Sequence, residues 1–269
     1  MPAARLTPDY STVTEQPQQQ ATRLQLAMLS TRYAWAADHA AGKDVAEVAC
    51  GAGLGLGWLA RLARSVQAGD LDDANCRTAL QTYAGRAKIH IRRMDALQLP
   101  FPDASLDLLL LFEAIYYLPD AATFFAEARR VLRPGATLLV ATVNPEWSGF
   151  NPSPFSTRYF PAAELKDALT RAGFAANLKA GFAEQPGLLG GQPGKDWLIG
   201  KIRRLAVAAR MIPSTMEGKA FLKRLFYGSL QSIPRELLPG GSPGPFHPLR
   251  PGMNLSLYRT LYAEARKLR

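Results

Sequence analysis

Four acids and a run of glycines carry the chemistry open to this sequence. Glu47 stands just before Ala49-Cys50-Gly51-Ala52-Gly53, and Asp70, Asp95 and Glu113 follow later apolar runs. Gly51 and Gly53 let the backbone approach a ligand where a Cβ would collide. A dinucleotide turn needs G-x-G-x-x-G. Counted from Gly51 the third glycine position holds Leu56, and counted from Gly53 it holds Trp58, so the pattern fails both ways. The Gly-Lys-Ser/Thr of a phosphate loop is absent as well. A carboxylate at position 47, facing the turn, would repel a phosphate and suits a cationic group. Asp70 follows Gly53 by 17 positions, close to the roughly 20 at which an acid takes ribose hydroxyls. Charge strengthens such hydrogen bonds. Asp72 competes for that place but also suits a helix cap.

The elements that must position these groups follow from pattern. Residues 45–49 are small or β-branched and suit a strand covered on both faces. The glycine turn then leads into a helix through Trp58, Leu59 and Leu62. Strands are expected over 65–70, 89–92, 106–111, 137–143 and 174–182, with helices over 121–132 and 162–172 between them. The almost pure leucine run at 106–111 must be central. Alternation of strand and helix points to an α/β fold with a mostly parallel sheet, whose ligands bind beyond the carboxyl ends of the strands. Before the first strand, 18–40 has helical periodicity through Leu24, Leu26, Leu29, Tyr33 and Ala36, and Gly42 stops it.

Length and charge bound the rest. A chain of 269 residues accommodates one domain with an embellishment. Two cysteines, Cys50 and Cys76, make no disulfide framework and no metal cluster, which points to a reducing, cytoplasmic setting with no metal. The first twenty residues lack the apolar core of a signal peptide, and no run of about 18 apolar residues marks a membrane span. The formal net charge is +10. From Lys195 onward there are 14 Lys and Arg against 4 Asp and Glu, so the last quarter holds the whole excess.

The segment Asp95-Ala96-Leu97-Gln98-Leu99-Pro100-Phe101-Pro102-Asp103-Ala104-Ser105-Leu106-Asp107 resembles a stretch of the class I S-adenosylmethionine-dependent methyltransferases, of the type-11 kind. Glu47-x-Ala49-x-Gly51-x-Gly53 resembles their E/D-x-G-x-G-x-G motif, with alanine in place of the first glycine. Arg130-Val131-Leu132-Arg133-Pro134-Gly135 is similar to the turn leading into their fifth strand. The resemblance covers roughly 40–182 and 253–269. It implies a Rossmann-like, seven-stranded, mostly parallel sheet with an antiparallel last strand. It divides the chain into an arm and cover helix (1–40), a core (41–182), a helical insertion (183–252) and the last core strand (253–269).

The resemblance also implies roles. The cofactor is S-adenosylmethionine. Asp95 accepts from the adenine amino group, the Ala96 N–H donates to a ring nitrogen, Leu71 packs on the adenine and Phe112 offers backbone contacts. Tyr10, Tyr33 and Arg32 on the cover can reach the methionine carboxylate, although Tyr33 equally suits the core. Tyr117 walls the sulfonium, with Tyr116 beside it. Glu113 is a candidate base or the partner of one, or else a helix N-terminal acid. His247, on a loop of the insertion, is a second candidate base. Asn144, Trp147, Phe150 and Phe155 lie on a proline-stiffened loop suited to line an organic acceptor, or to pack on itself.

The expected reaction is methyl transfer to an O, N or C nucleophile of a small organic acceptor, natural-product or sugar-like. A membrane-linked glycan or lipid, or RNA, is the alternative acceptor; a non-catalytic binding module is the other alternative. A small-molecule partner is favoured over nucleic acid. The oligomeric state is open. Residues 197–212 form a basic amphipathic stretch that reads as a lid with a solvated face or as a peripheral membrane contact.

Overall fold

The strand Leu106–Phe112 (β5) explains the layering. Leu109 and Leu111 join one buried cluster while Leu108, Leu110 and Phe112 join another, so the period-two alternation feeds two cores. The first cluster is closed by helices α4 (Ala121–Val131) and α5 (Ala162–Arg171), through Phe124, Phe125, Leu165 and Leu169. The second is closed by α1 (Arg23–Ala40) and α2 (Leu56–Leu62), through Tyr33, Trp35, Leu56 and Leu59. The result is three layers, helix–sheet–helix. The computed structural model describes residues 13–184, 230–240 and 244–269. Tyr10 and the basic stretch 197–212 lie outside them.

The remaining strands are β1 (Gln20–Ala21), β2 (Asp44–Val48), β3 (Ser65–Asp70), β4 (Ile89–Arg93), β6 (Leu132–Val143), β7 (Phe174–Ala183), β8 (Gln231–Ser232), β9 (Phe246–Pro248) and β10 (Tyr258–Lys267). Helix α3 spans Asp73–Thr82. The main sheet runs β4-β3-β2-β5-β6-β10-β7-β9. The first five are mutually parallel, and β10 inserts antiparallel between β6 and β7, as the resemblance implied. The sheet has eight strands, not the expected seven. The eighth, β9, comes from the insertion and pairs antiparallel with β7, covering an edge that would otherwise stand open.

Two local features matter for the site. Thr22 and Gln25 close a capping box on α1: the Gln25 N–H donates to Thr22 Oγ1 and the Thr22 N–H donates to Gln25 Oε1. That fixes where the cover helix starts. The pairing of β1 with β8 then ties the arm to residues 231–232. Arg133 to Ala136, expected as a turn, is a bulge within β6, with Gly135 at φ +76°.

Candidate cofactor and acceptor site

The carboxyl ends of β2, β3, β4 and β5 meet the arm and α1 around a cavity of about 690 Å³. Tyr33, Glu47, Gly51, Asp70, Leu71, Asp95, Ala96, Phe112, Glu113, Tyr116 and Tyr117 all line it. These residues come from five separate segments, so the fold brings together most of what the sequence singled out.

The floor is the glycine loop. Glu47 points to the α1 side of β2 and is 2% exposed. The buried Tyr33 hydroxyl donates to its Oε1 at 2.8 Å, while its Oε2 is buried with no hydrogen-bond partner among the described residues. Burial pushes the Glu47 carboxyl up to about 8, against the opposing pull of Tyr33 and Arg32. Ala49, where the family motif has glycine, sits at φ +54°. An L-residue there costs about 1–2 kcal/mol. Gly55, which sequence reasoning passed over, is where α1 and the loop touch. A Cβ on it would lie 2.0 Å from the Tyr33 ring. Gly53 (φ +72°) does not line the cavity; its carbonyl accepts from the Tyr83 hydroxyl at 2.8 Å and so holds the loop from behind.

Asp70 fixes the wall. Its Oδ2 accepts from the Gly51 N–H at 2.8 Å, and its Oδ1 accepts from Asp72 N–H at 2.9 Å and Asn75 Nδ2 at 3.3 Å. Each carboxylate oxygen can accept further bonds, so the group still suits a ribose. Asp72 is the cap of α3, accepting from Ala74 N–H at 2.7 Å. Asp95 is exposed at the opposite wall and folds back on the Leu97 N–H at 2.9 Å, which orients the buried Ala96 beside it.

The far end is a polar network. Glu113, at the end of β5, sits at φ +51°, and its N–H donates to Ala141 O at 2.8 Å. The Tyr116 hydroxyl donates to Glu113 Oε2 at 3.2 Å, and Arg32 Nη1 lies 3.8 Å from Glu113 Oε1. Arg32 Nη2 donates to Glu15 Oε2 of the arm at 2.5 Å. Burial raises the Glu113 carboxyl and Arg32 opposes it. The helix-terminal role considered for Glu113 belongs instead to Asp120, which caps α4 through the Ala122 N–H at 3.0 Å. Glu15 carries no signal in a polar, proline-bearing arm, and nothing in the sequence pairs it with Arg32.

Of the residues expected at the acceptor, Asn144, Trp147, Phe150, Phe155 and His247 stay outside the cavity. Asn144 is fully buried, and its Nδ2 donates to the carbonyls of Leu255 and Tyr258 at 2.8 Å each, locking the end of β6 to the start of β10. Trp147 lies under the Arg259 guanidinium, 4.1 Å from its ring centre. Phe150 meets Tyr159 edge-on at 4.7 Å, and Tyr159 stacks on Tyr116 at 4.8 Å. The proline loop therefore packs on itself and buttresses Tyr116 and Tyr117, the latter also joined to Ser153 Oγ at 2.6 Å. That corrects the expectation that Asn144, Trp147 and Phe150 line the acceptor. His247 is also corrected as a base: it is on β9, paired with Ala180, with its ring 5.3 Å from Tyr258.

The residues present fit S-adenosylmethionine. A buried carboxylate oxygen without a partner calls for a cation, which the methionine ammonium supplies. Asp70 and Asp95 supply acceptors to ribose and adenine, and Phe112 and Leu71 supply apolar walls.

Comparison with known proteins agrees. Residues 46–140 match the family described as Methyltransferase domain. Over 158 residues the chain is 39% identical to a Mycolicibacterium smegmatis protein named "Probable S-adenosylmethionine-dependent methyltransferase", covering 56% of this chain and 60% of that one. Over 106 residues it is 38% identical to phthiotriol/phenolphthiotriol dimycocerosates methyltransferase 1 of Mycobacterium ulcerans, covering 39% of each. The chain thus spans three fifths or less of the length of these curated relatives. The crystal structure of the [4+2]-cyclase SpnF superposes with a TM-score of 0.58 at 19% identity, over 92% of this chain and 84% of that one, a likeness of fold alone. Residues 46–140 thus match a methyltransferase domain, and relatives that share this region carry the name of S-adenosylmethionine-dependent methyltransferases.

Proposed function

We propose that this protein transfers the methyl group of S-adenosylmethionine to a hydroxyl, amine or carbon nucleophile of a small organic acceptor. The observation that carries the reading is the unpartnered, buried Oε2 of Glu47 in the same cavity as Asp70 and Asp95. When bound, the cofactor supplies a methyl group on a good leaving group. The protein's part is to orient and to exclude water. Glu47 takes the ammonium, Asp70 the ribose, and Asp95 with the Ala96 N–H the adenine edge. Tyr33 and α1 close the cavity from above the loop. Glu113 takes the acceptor's proton, with the Tyr116 hydroxyl holding its other oxygen. Tyr117, braced by Ser153, walls the transfer position.

A fold shared with a protein described as a cyclase does not carry the reaction, so the residues must. Titration with S-adenosylhomocysteine tests the reading. Saturable binding that Asp70→Ala weakens by about 100-fold supports it, and absent binding, or an Asp70→Ala variant like wild type, overturns it. Transfer of labelled methyl from the cofactor into any component of a cell extract separates an enzyme from a binding module.

A second reading, an acceptor on a membrane-linked or polymeric anion, draws on the basic excess after Lys195. Among the described residues no helix is long and apolar enough to cross a membrane. Flotation with anionic liposomes and an RNA gel shift, both negative at low salt, would remove that reading.

A further inference from the structure

Two cations line the cavity, Arg32 and Arg93. Arg93 is turned to the Leu71 carbonyl at 3.2 Å and to Asp73 at 3.7 Å, at the adenine end. Arg32 is therefore the cation of the acceptor end among the described residues. It is 5% exposed and faces two carboxylates from different parts of the chain. Glu15 of the arm holds one amino group at 2.5 Å, and Glu113 stands 3.8 Å from the other. One guanidinium thus serves two acids, and it lies closer to the one that is not in reach of Tyr116. Glu113 is held there by a left-handed backbone at φ +51°. Such a conformation costs energy and is kept where the surroundings impose it.

We propose that Glu15 and Glu113 compete for the Arg32 guanidinium, and that Glu15's hold on it leaves Glu113 free to accept the acceptor's proton. The proposal rests on Glu113 being the base. A carboxylate fully paired with an arginine is a weak base, because the cation stabilises its charged form. One only half paired, in a buried site, stays a better base near neutral pH. Arg32 is then a positioning residue that acts through Glu113. Glu15 is the counterweight that the N-terminal arm supplies. The other titratable groups around the pair are Tyr33 on α1, Glu47 on β2, Tyr116 after β5 and Tyr262 on β10. All three phenols have their ionisation pushed up by burial and stay neutral in the working range.

The two substitutions have opposite signs. Arg32→Gln removes the cation that opposes the upward push of burial, so the Glu113 midpoint rises. Glu15→Gln removes a like charge and releases the guanidinium to Glu113, so the midpoint falls. General loosening of the site would move both the same way. The experiment is a carbon-13 carboxyl NMR titration of the full chain labelled at glutamate, with the Glu113 signal identified by its loss in Glu113→Gln. The expected result is a rise of about one pH unit in Arg32→Gln and a fall of smaller size in Glu15→Gln. Shifts of the same sign, or no shift in either, overturn the proposal. Should Arg32→Gln not fold, Glu15→Gln decides alone, and an unchanged or raised midpoint overturns it. S-adenosylhomocysteine binding, measured on the same samples, keeps the cofactor reading separate, since Glu15→Gln should bind it within about threefold of wild type.

Discussion

The two ends of the cavity are built on different principles. The cofactor end is made of strand ends and the turns directly after them: Glu47 in β2 and Gly51 after it, Asp70 at the end of β3, Asp95 after β4. The hydrogen-bond partners there are not shared between the groups: Glu47 has Tyr33, Asp70 has Gly51, Asp72 and Asn75, and Asp95 has Leu97. The acceptor end is made of residues far apart in sequence, Glu15, Arg32, Glu113 and Tyr116, which answer to one another. Substitutions at the first should therefore act singly and on binding. Substitutions at the second should couple and act on proton transfer.

The largest expected effect is at the cofactor end. Asp70→Ala deletes the acceptor for Gly51 N–H and the proposed acceptor for ribose, and bonds to a charged group contribute about 1.5–3 kcal/mol each. S-adenosylhomocysteine affinity should fall by about 100-fold or more in calorimetry, together with a stability loss of about 1.5–3 kcal/mol from the donors left unpaired. Asn144→Ala, engaged with the Leu255 and Tyr258 carbonyls, should lose stability with little loss of affinity. Next in size is Gly55→Ala. Its methyl meets the Tyr33 ring at 2.0 Å, and overpacking costs about 1–3 kcal/mol in denaturant unfolding.

The pH dependence comes third. The Glu47 carboxyl is raised from 4.5 to about 8 in the folded chain. Its contribution to stability is therefore complete below the unfolded value and is lost as pH rises through the folded one. Across pH 5–8 the unliganded protein should lose up to about 1.4 kcal/mol per pH unit from this group. Glu113, raised in the same direction by burial, adds a loss of the same sign. Glu47→Gln should flatten the slope of unfolding free energy against pH. If the slope is unchanged, Glu47 does not carry it. The smallest effect is Ala49→Gly, which relieves φ +54° but adds freedom to the unfolded chain. A net stabilisation of about 0.5–1 kcal/mol is expected from these opposing terms.

How much of this was legible follows the same division. Strand and helix periods placed β3 at 65–70 and the leucine strand β5, and with them Asp70 and Glu113, because both periodicities report burial directly. The eighth strand was not legible: β9 is three residues long, and only its pairing with β7 defines it. The acceptor loop misled for a physical reason. Prolines and aromatics around Trp147 and Phe150 suit a ligand surface and a self-packed brace equally, and the choice turns on where Tyr159 and Arg259 lie. Glu15 was invisible because a lone acid in a polar arm has no period; only the fold sets it against Arg32. Gly55 had a signal that was passed over, a third alternate glycine in the loop, which becomes informative once a helix is known to lie across it.

The most direct measurement is the number of protons released when S-adenosylhomocysteine binds, from calorimetry at pH 6.5 in buffers of different ionisation enthalpy. A Glu47 carboxyl at about 8 is protonated before binding and ionised once it meets an ammonium. The account predicts release of about one proton per ligand by the wild type and none by Glu47→Gln. Binding without proton release, or equal release by both proteins, would contradict it.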